Sequence, residues 1–207
     1  MSENFDVEKV SDALEQSLKD DDDVYLDNYL EAYKEYNKFF QSLGSVFNFV
    51  SSDVITKIAV LEDFRYNDDN SELFASIKLM LDYEKSNEMF KNSRYVSGSR
   101  TLLRLHRGLE FILEFLMQLS KLSPSDKTSA VCQAAYNDTL AKHHPWVIRK
   151  AAVLAMYTLP VQQDLLNKVC TDVEKSITNL PKMLRLTKVV YDRTHNLYTQ
   201  FDLHGLP

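Results

Sequence analysis

The chain has 207 residues, 44% of them hydrophobic and 26% charged, which is enough for one sizeable domain and short for two. A net charge of −6 excludes general affinity for nucleic acid, so any preference for a phosphate or a membrane must come from a local basic patch. Four glycines and five prolines leave little material for a turn-rich β protein, and no run of about 18 uncharged apolar residues marks a transmembrane helix.

Residues 5–19 place Phe5, Val10, Leu14 and Leu18 at helical spacing and predict a short amphipathic helix. The opening MSENFDVEKV is acidic and lacks the basic-then-apolar pattern of a signal peptide, so a soluble, cytoplasmic protein is expected. Asp20 to Asp23 read as a solvated break or as the start of the next helix, where negative charge suits the dipole. Residues 24–43 predict a second helix with an aromatic stripe (Tyr25, Tyr29, Tyr33, Tyr36, Phe39, Phe40), ended by Gly44. A third helix runs from near Ser45 to Arg65. Within it Asp53 and Lys57 stand i, i+4 and can pair on one face, among Val50, Val54, Ile55 and Ile58.

After the polar stretch 66–71, residues 72–91 predict a fourth helix, and 92–99 connect it to the strongest helical pattern in the chain, Arg100 to Leu119. There Leu102, Leu105, Leu109, Ile112, Leu116 and Leu119 share one broad face. Arg100, Arg104 and Arg107 fall opposite, and Phe111 and Phe115 continue the arginine stripe where a solvated face would be polar. Two readings stay open from this stretch alone: a core helix with a basic edge, or a site with a charged mouth and an apolar floor.

A helix over 129–142 follows, with Val131, Ala134, Ala135 and Leu140 inward. It stops before Pro145, which moves His144 away from helical geometry. Pro145 suits the first turn of a helix to about 159, and Pro160 ends it. Residues 161–170 and 173–180 predict shorter helical pieces, and 182–201 a long final helix. The expected fold is all-α, one domain over 1–207 with about eight helices, and residues 1–19 as a loosely attached N-terminal helix. Cys132 and Cys170 lack metal-ligand or CxxC spacing and read as reduced, buried thiols.

No phosphate-binding loop, dinucleotide fingerprint, HExxH or nucleophile elbow occurs, so enzymatic activity, a cofactor or a metal is not expected. What remains is a set of polar groups out of place in a pure core: the Asp53/Lys57 pair, the arginine stripe, and His144 beside Trp146. Guanidinium forks and a lysine suit a phosphate. An aspartate and a histidine suit an amide and a hydroxyl, and nearby Phe, Leu, Met and Val suit hydrocarbon.

The run RTLLRLHRGLEFI, followed about thirty residues later by HHPWVIRKA, resembles the glycolipid transfer protein family, nearest its ceramide-1-phosphate branch. DVITKI near residue 53, CQAAYNDTLAKHHPWV, YTLP and a final LP are further similarities, so the resemblance spans roughly residues 25 to 207. It implies a two-layer helical sandwich with a lipid pocket between the layers. It also implies carriage of ceramide-1-phosphate or a related sphingolipid between membranes, with transient membrane contact and as a monomer. By the same resemblance Asp53 binds the ceramide amide nitrogen, His144 the amide carbonyl, and Lys57, Arg100 and Arg104 the phosphate. Trp146 matches the family's membrane-interface tryptophan, and Arg107 is given a supporting role. In the glycolipid branch a tryptophan takes the place of Arg104, so the arginine favours phosphate over sugar. A glycolipid carrier and a sphingolipid-binding sensor or adaptor are the alternatives.

Overall fold

Short polar side chains set several of the helix boundaries. In the computed structural model, which describes residues 4–19, 22–67 and 69–207, Asp6 accepts from the Glu8 and Lys9 amides and opens α1 (Val7–Ser17). Next come α2 (Leu26–Ser42) and α3 (Asn48–Tyr66), joined through Gly44, whose φ of 108° turns the chain. Ser76 caps α4 (Ile77–Ser86), and Ser97 caps α5 (Gly98–Leu119). Then follow α6 (Thr128–Asp138), α7 (Trp146–Met156), α8 (Gln162–Val169) and α9 (Val173–Gln200), the last capped by Asp172. Nine α-helices are present among the described residues, in the all-α, two-layer arrangement expected.

The acidic break differs from expectation where it is described. Asp20 and Asp21 lie outside the described residues. Asp23 is buried, and its carboxylate accepts from the Val24 and Lys78 amides, so it ties this segment to the first turn of α4. Residues Asp23–Val24 pair with Leu18–Lys19 as a two-residue antiparallel ribbon. The N-terminal helix is seated, not loosely attached: Val10 and Leu14 are buried, and α1 packs on α2 and α9.

Three expectations change. The single helix over 72–91 is a 3-10 turn at Ser71–Phe74 followed by α4, because Ser76 caps a new start. Glu88, at φ 53°, then breaks the continuation. On α6 the inward face is Cys132, Ala135 and Tyr136, while Ala134 is exposed. The two pieces expected around Pro181 are one helix, α9. Pro181 cannot donate to the Ile177 carbonyl, but both residues are exposed, so water satisfies the freed acceptor and the helix continues.

Helix α5 runs through the middle of this packing, against α3, α4, α6 and α9. Its leucine face is buried as read from the sequence. Tyr33 of α2 donates its hydroxyl to the Leu105 carbonyl of α5. Tyr36 bonds Thr187 of α9 at 2.7 Å, and since Thr187 donates its own proton to Met183, Tyr36 is the donor. Two buried hydroxyls of α2 therefore fix the spacing of α5 and α9.

His106 lies in the α5–α9 seam, stacked on Tyr191 with ring centres 4.5 Å apart and planes 14° apart, and its Nε2 is 3.5 Å from His195 Nδ1. Burial, then the neighbouring His195, His204 and Arg107, push its pKa down to about 3. The unfolded chain takes up a proton here near pH 6.5 and the folded chain does not. Stability is therefore full above that pH and falls as pH drops from about 6.5 toward 3. His106→Phe, which keeps the stacking, should reduce the loss of stability between pH 7 and pH 5. Urea midpoints across that range are the check, and an unaltered slope would count against the assignment.

Candidate functional site

A cavity of about 610 Å³ opens between α2, α3, α5, α6 and α7. Its lining is mostly apolar and aromatic: Phe40 and Phe47, Val54 of α3, Phe111 and Phe115 of α5, and Met156 of α7. Phe111 and Phe115 stand one turn apart with rings stacked at 6.0 Å, so the α5 stripe does become an apolar floor. Cys132 of α6 also faces this space, and burial pushes its thiol up to about 12, so it is protonated and inert at neutral pH. Both cysteines are buried and free, as expected.

The polar groups gather at one rim. Asp53, Lys57, Arg104, Arg107, His143 and His144 all border the cavity. Asp53 and Lys57 form the expected i, i+4 ion pair. Their side chains are 67% and 14% exposed, so the ammonium is largely enclosed while the carboxylate faces water and remains free to accept. Arg104 is exposed, and its Nη2 lies 3.4 Å from the Pro207 carbonyl. Arg107 is half-buried and donates to the His204 and Leu206 carbonyls at 3.0 and 3.4 Å.

His144 accepts its position from two directions. Pro145 holds its backbone extended, at φ −107° and ψ 139°, and the Tyr136 hydroxyl lies 2.9 Å from its Nδ1. Burial depresses the His144 pKa, Asp53 opposes that and Lys57 adds to it, so the ring is neutral near pH 7. Burial raises the Tyr136 pKa, which keeps the hydroxyl protonated. With Tyr136 as donor to Nδ1, the imidazole proton lies on Nε2 and points away from Tyr136.

Four of the residues singled out from sequence, Asp53, Lys57, Arg104 and His144, therefore meet at one mouth. Arg100 does not line it. One turn earlier on α5, its guanidinium donates to the Phe90 carbonyl at 3.0 Å and lies over the Phe90 ring, while its Nε is buried without a partner. Trp146 is 63% exposed at the start of α7, with Lys150 Nζ 5.9 Å from its ring centre. Sequence reading missed Tyr136, which it left off the inner face of α6, and Pro207, whose approach to Arg104 spans the length of half the chain. The HHP motif was the available signal for Tyr136, since a histidine at a helix junction needs something to fix its tautomer.

Residues 24–171 match the family model for glycolipid transfer protein. The ceramide-1-phosphate transfer protein of Danio rerio is 37% identical over 214 residues, covering 100% of both chains. That of Homo sapiens is 35% identical, covering 98% of this chain and 97% of the relative. Among solved structures, the apo form of mouse ceramide-1-phosphate transfer protein superposes with a TM-score of 0.90 at 35% identity, covering 98% of this chain and 100% of that one. The human protein in complex with 12:0 ceramide-1-phosphate does so with a TM-score of 0.89 at 34% identity, with the same coverage.

Tyr136→Phe should leave the cavity intact but release His144 Nδ1. Long-range proton–nitrogen NMR of the imidazole should show the Nε2-protonated tautomer in the wild type, with a mixed tautomer population and a higher titration midpoint in the variant. A wild-type ring protonated on Nδ1 would reverse the donor assignment.

Proposed function

The chain belongs to the glycolipid transfer protein family, and on that basis we propose that it carries ceramide-1-phosphate between membranes, as a cytoplasmic monomer that touches the bilayer transiently. The observation that carries this reading is the meeting of Lys57 and Arg104 with Asp53 and His144 at the mouth of an aromatic-walled cavity. Lys57 and Arg104 present charged donors to phosphate oxygens, and Arg100 stands one turn away with a donor unused, able to join them. The Asp53 carboxylate accepts from the amide N–H and the sphingoid hydroxyl, and His144 Nε2 donates to the amide carbonyl. No covalent step is involved.

The division of labour follows from magnitudes. Removing hydrocarbon from water contributes about 0.8 kcal/mol per CH₂, so the two chains dominate retention and the charged rim supplies selectivity. The low net affinity of an acidic protein for anionic surfaces fits an encounter led by apolar contact. Trp146, Val147 and Leu154 of α7 are exposed, and Phe49 and Ile148 are both exposed and part of the cavity lining. An apolar surface continuous with the mouth lets the chains leave the bilayer without crossing open water. Arg149 and Lys150 on the same helix meet lipid phosphates at that surface.

Arg104→Leu removes one charge-assisted contact worth about 1.5–3 kcal/mol, and transfer of ceramide-1-phosphate between vesicles should fall roughly tenfold to a hundredfold. Unchanged transfer would sink the phosphate assignment. With protein well below the lipid concentration, the wild type should turn over many times, whereas a sensor or adaptor binds without doing so. Trp146→Ala should slow vesicle transfer while leaving binding of a short-chain, water-soluble ceramide-1-phosphate unaltered. A matched loss in both assays would place Trp146 in binding instead of docking.

A further inference from the structure

After α9 the chain turns back over the site. Asp202 adopts φ 51°, the Leu203 amide donates to the Tyr198 carbonyl at 2.9 Å, and Leu203 is buried. Lys85 donates to the Phe201 carbonyl, and His204 Nε2 lies 2.9 Å from Thr199 Oγ1, with its ring against His195. Beyond these fastenings, Arg107 holds the segment by two carbonyls, those of His204 and Leu206. The result is that Pro207 borders the cavity beside Asp53, Lys57 and His144, with its carbonyl on Arg104.

We propose that residues 203–207 form a strap, clasped by Arg107, and that Pro207 on this strap sets the permitted size of the headgroup. The inference rests on the phosphate-headed reading above. Proline brings bulk and a carbonyl acceptor but no N–H, so Pro207 offers a phosphate no hydrogen bond from its amide. It does occupy the space against the guanidinium that would hold one. A phosphate ending in free oxygens needs only to take the place of the Pro207 oxygen on Arg104, one oxygen acceptor for another. A phosphate esterified again, as in a phosphocholine headgroup, must place a second substituent where the strap lies. Arg107 is thus a positioning residue. Both bonds come from one nitrogen, Nη2, held in place by the rigid guanidinium plane, whereas a lysine ammonium sits on a flexible stem and does not fix the strap in one position.

The test compares vesicle-to-vesicle transfer of ceramide-1-phosphate and of sphingomyelin, its phosphocholine ester, by the wild type, Arg107→Lys, Arg107→Ala and a chain lacking Leu206 and Pro207. The wild type should carry the first and exclude the second. All three variants should gain sphingomyelin transfer and lose at least tenfold in selectivity, with thermal unfolding of the deletion close to the wild type. The lysine variant separates positioning from charge, because it keeps the cation but gives up the rigid placement of Nη2. An unchanged ratio in all three would overturn the inference. So would loss of ceramide-1-phosphate transfer in Arg107→Ala alone, with rescue by lysine and no gain for sphingomyelin, which would mean that Arg107 grips the phosphate itself. A wild type that carries no ceramide-1-phosphate would instead overturn the functional reading beneath it.

Discussion

Three guanidinium groups on α5 stand near an aromatic cavity, and none is paired with an aspartate or glutamate among the described residues. Arg100 rests on the Phe90 carbonyl and Arg107 on those of His204 and Leu206, while exposed Arg104 lies 3.4 Å from a main-chain oxygen of Pro207, the last residue. That arrangement governs what the rest of the molecule can be. A carboxylate partner would neutralise each charge and would have to be displaced by any incoming anion. A carbonyl satisfies the donors while leaving the charge in place, so an anionic group wins the exchange. The helix can therefore bury its leucine face completely and still keep its positive charge available.

Such a site depends on where α5 sits, and α5 is positioned by polar contacts made inside the core. Glu84, fully buried on α4, accepts from Tyr95, Ser97 and the Gly98 and Ser99 amides, which fastens the first turn of α5. At Gly98 a Cβ would lie 2.7 Å from Met80 Sδ, so a larger residue there would have to push the buried Met80 side chain aside. Tyr33 holds the middle of the helix at Leu105. Buried hydroxyls and carboxylates tolerate only one geometry when all their bonds are made, so they define the position of the arginine stripe more sharply than apolar packing does.

Much of this was legible in the sequence, for physical reasons that differ by residue. The leucine spacing of α5 and the Asp53/Lys57 pair are local, period-3.6 features, and both stand as read. Pro181 misled because proline removes a single bond and crowds a single carbonyl, which kinks a helix as readily as it ends one, and here the affected turn faces water and the helix continues. The inward face of α6 was misjudged by counting aliphatic residues while passing over Tyr136, an amphipathic ring with its hydroxyl on His144. The resting place of Arg100 on Phe90 and the fold-back of residues 203–207 rest on contacts between distant segments, which no local spacing encodes.

Cys132 gives the cavity one more property. Its thiol is buried and borders the space that the proposed hydrocarbon chains would fill, and burial holds it in the unreactive, protonated form. An uncharged thiol is an easy neighbour for hydrocarbon, so Cys132 keeps that part of the wall apolar without adding a reactive group to it.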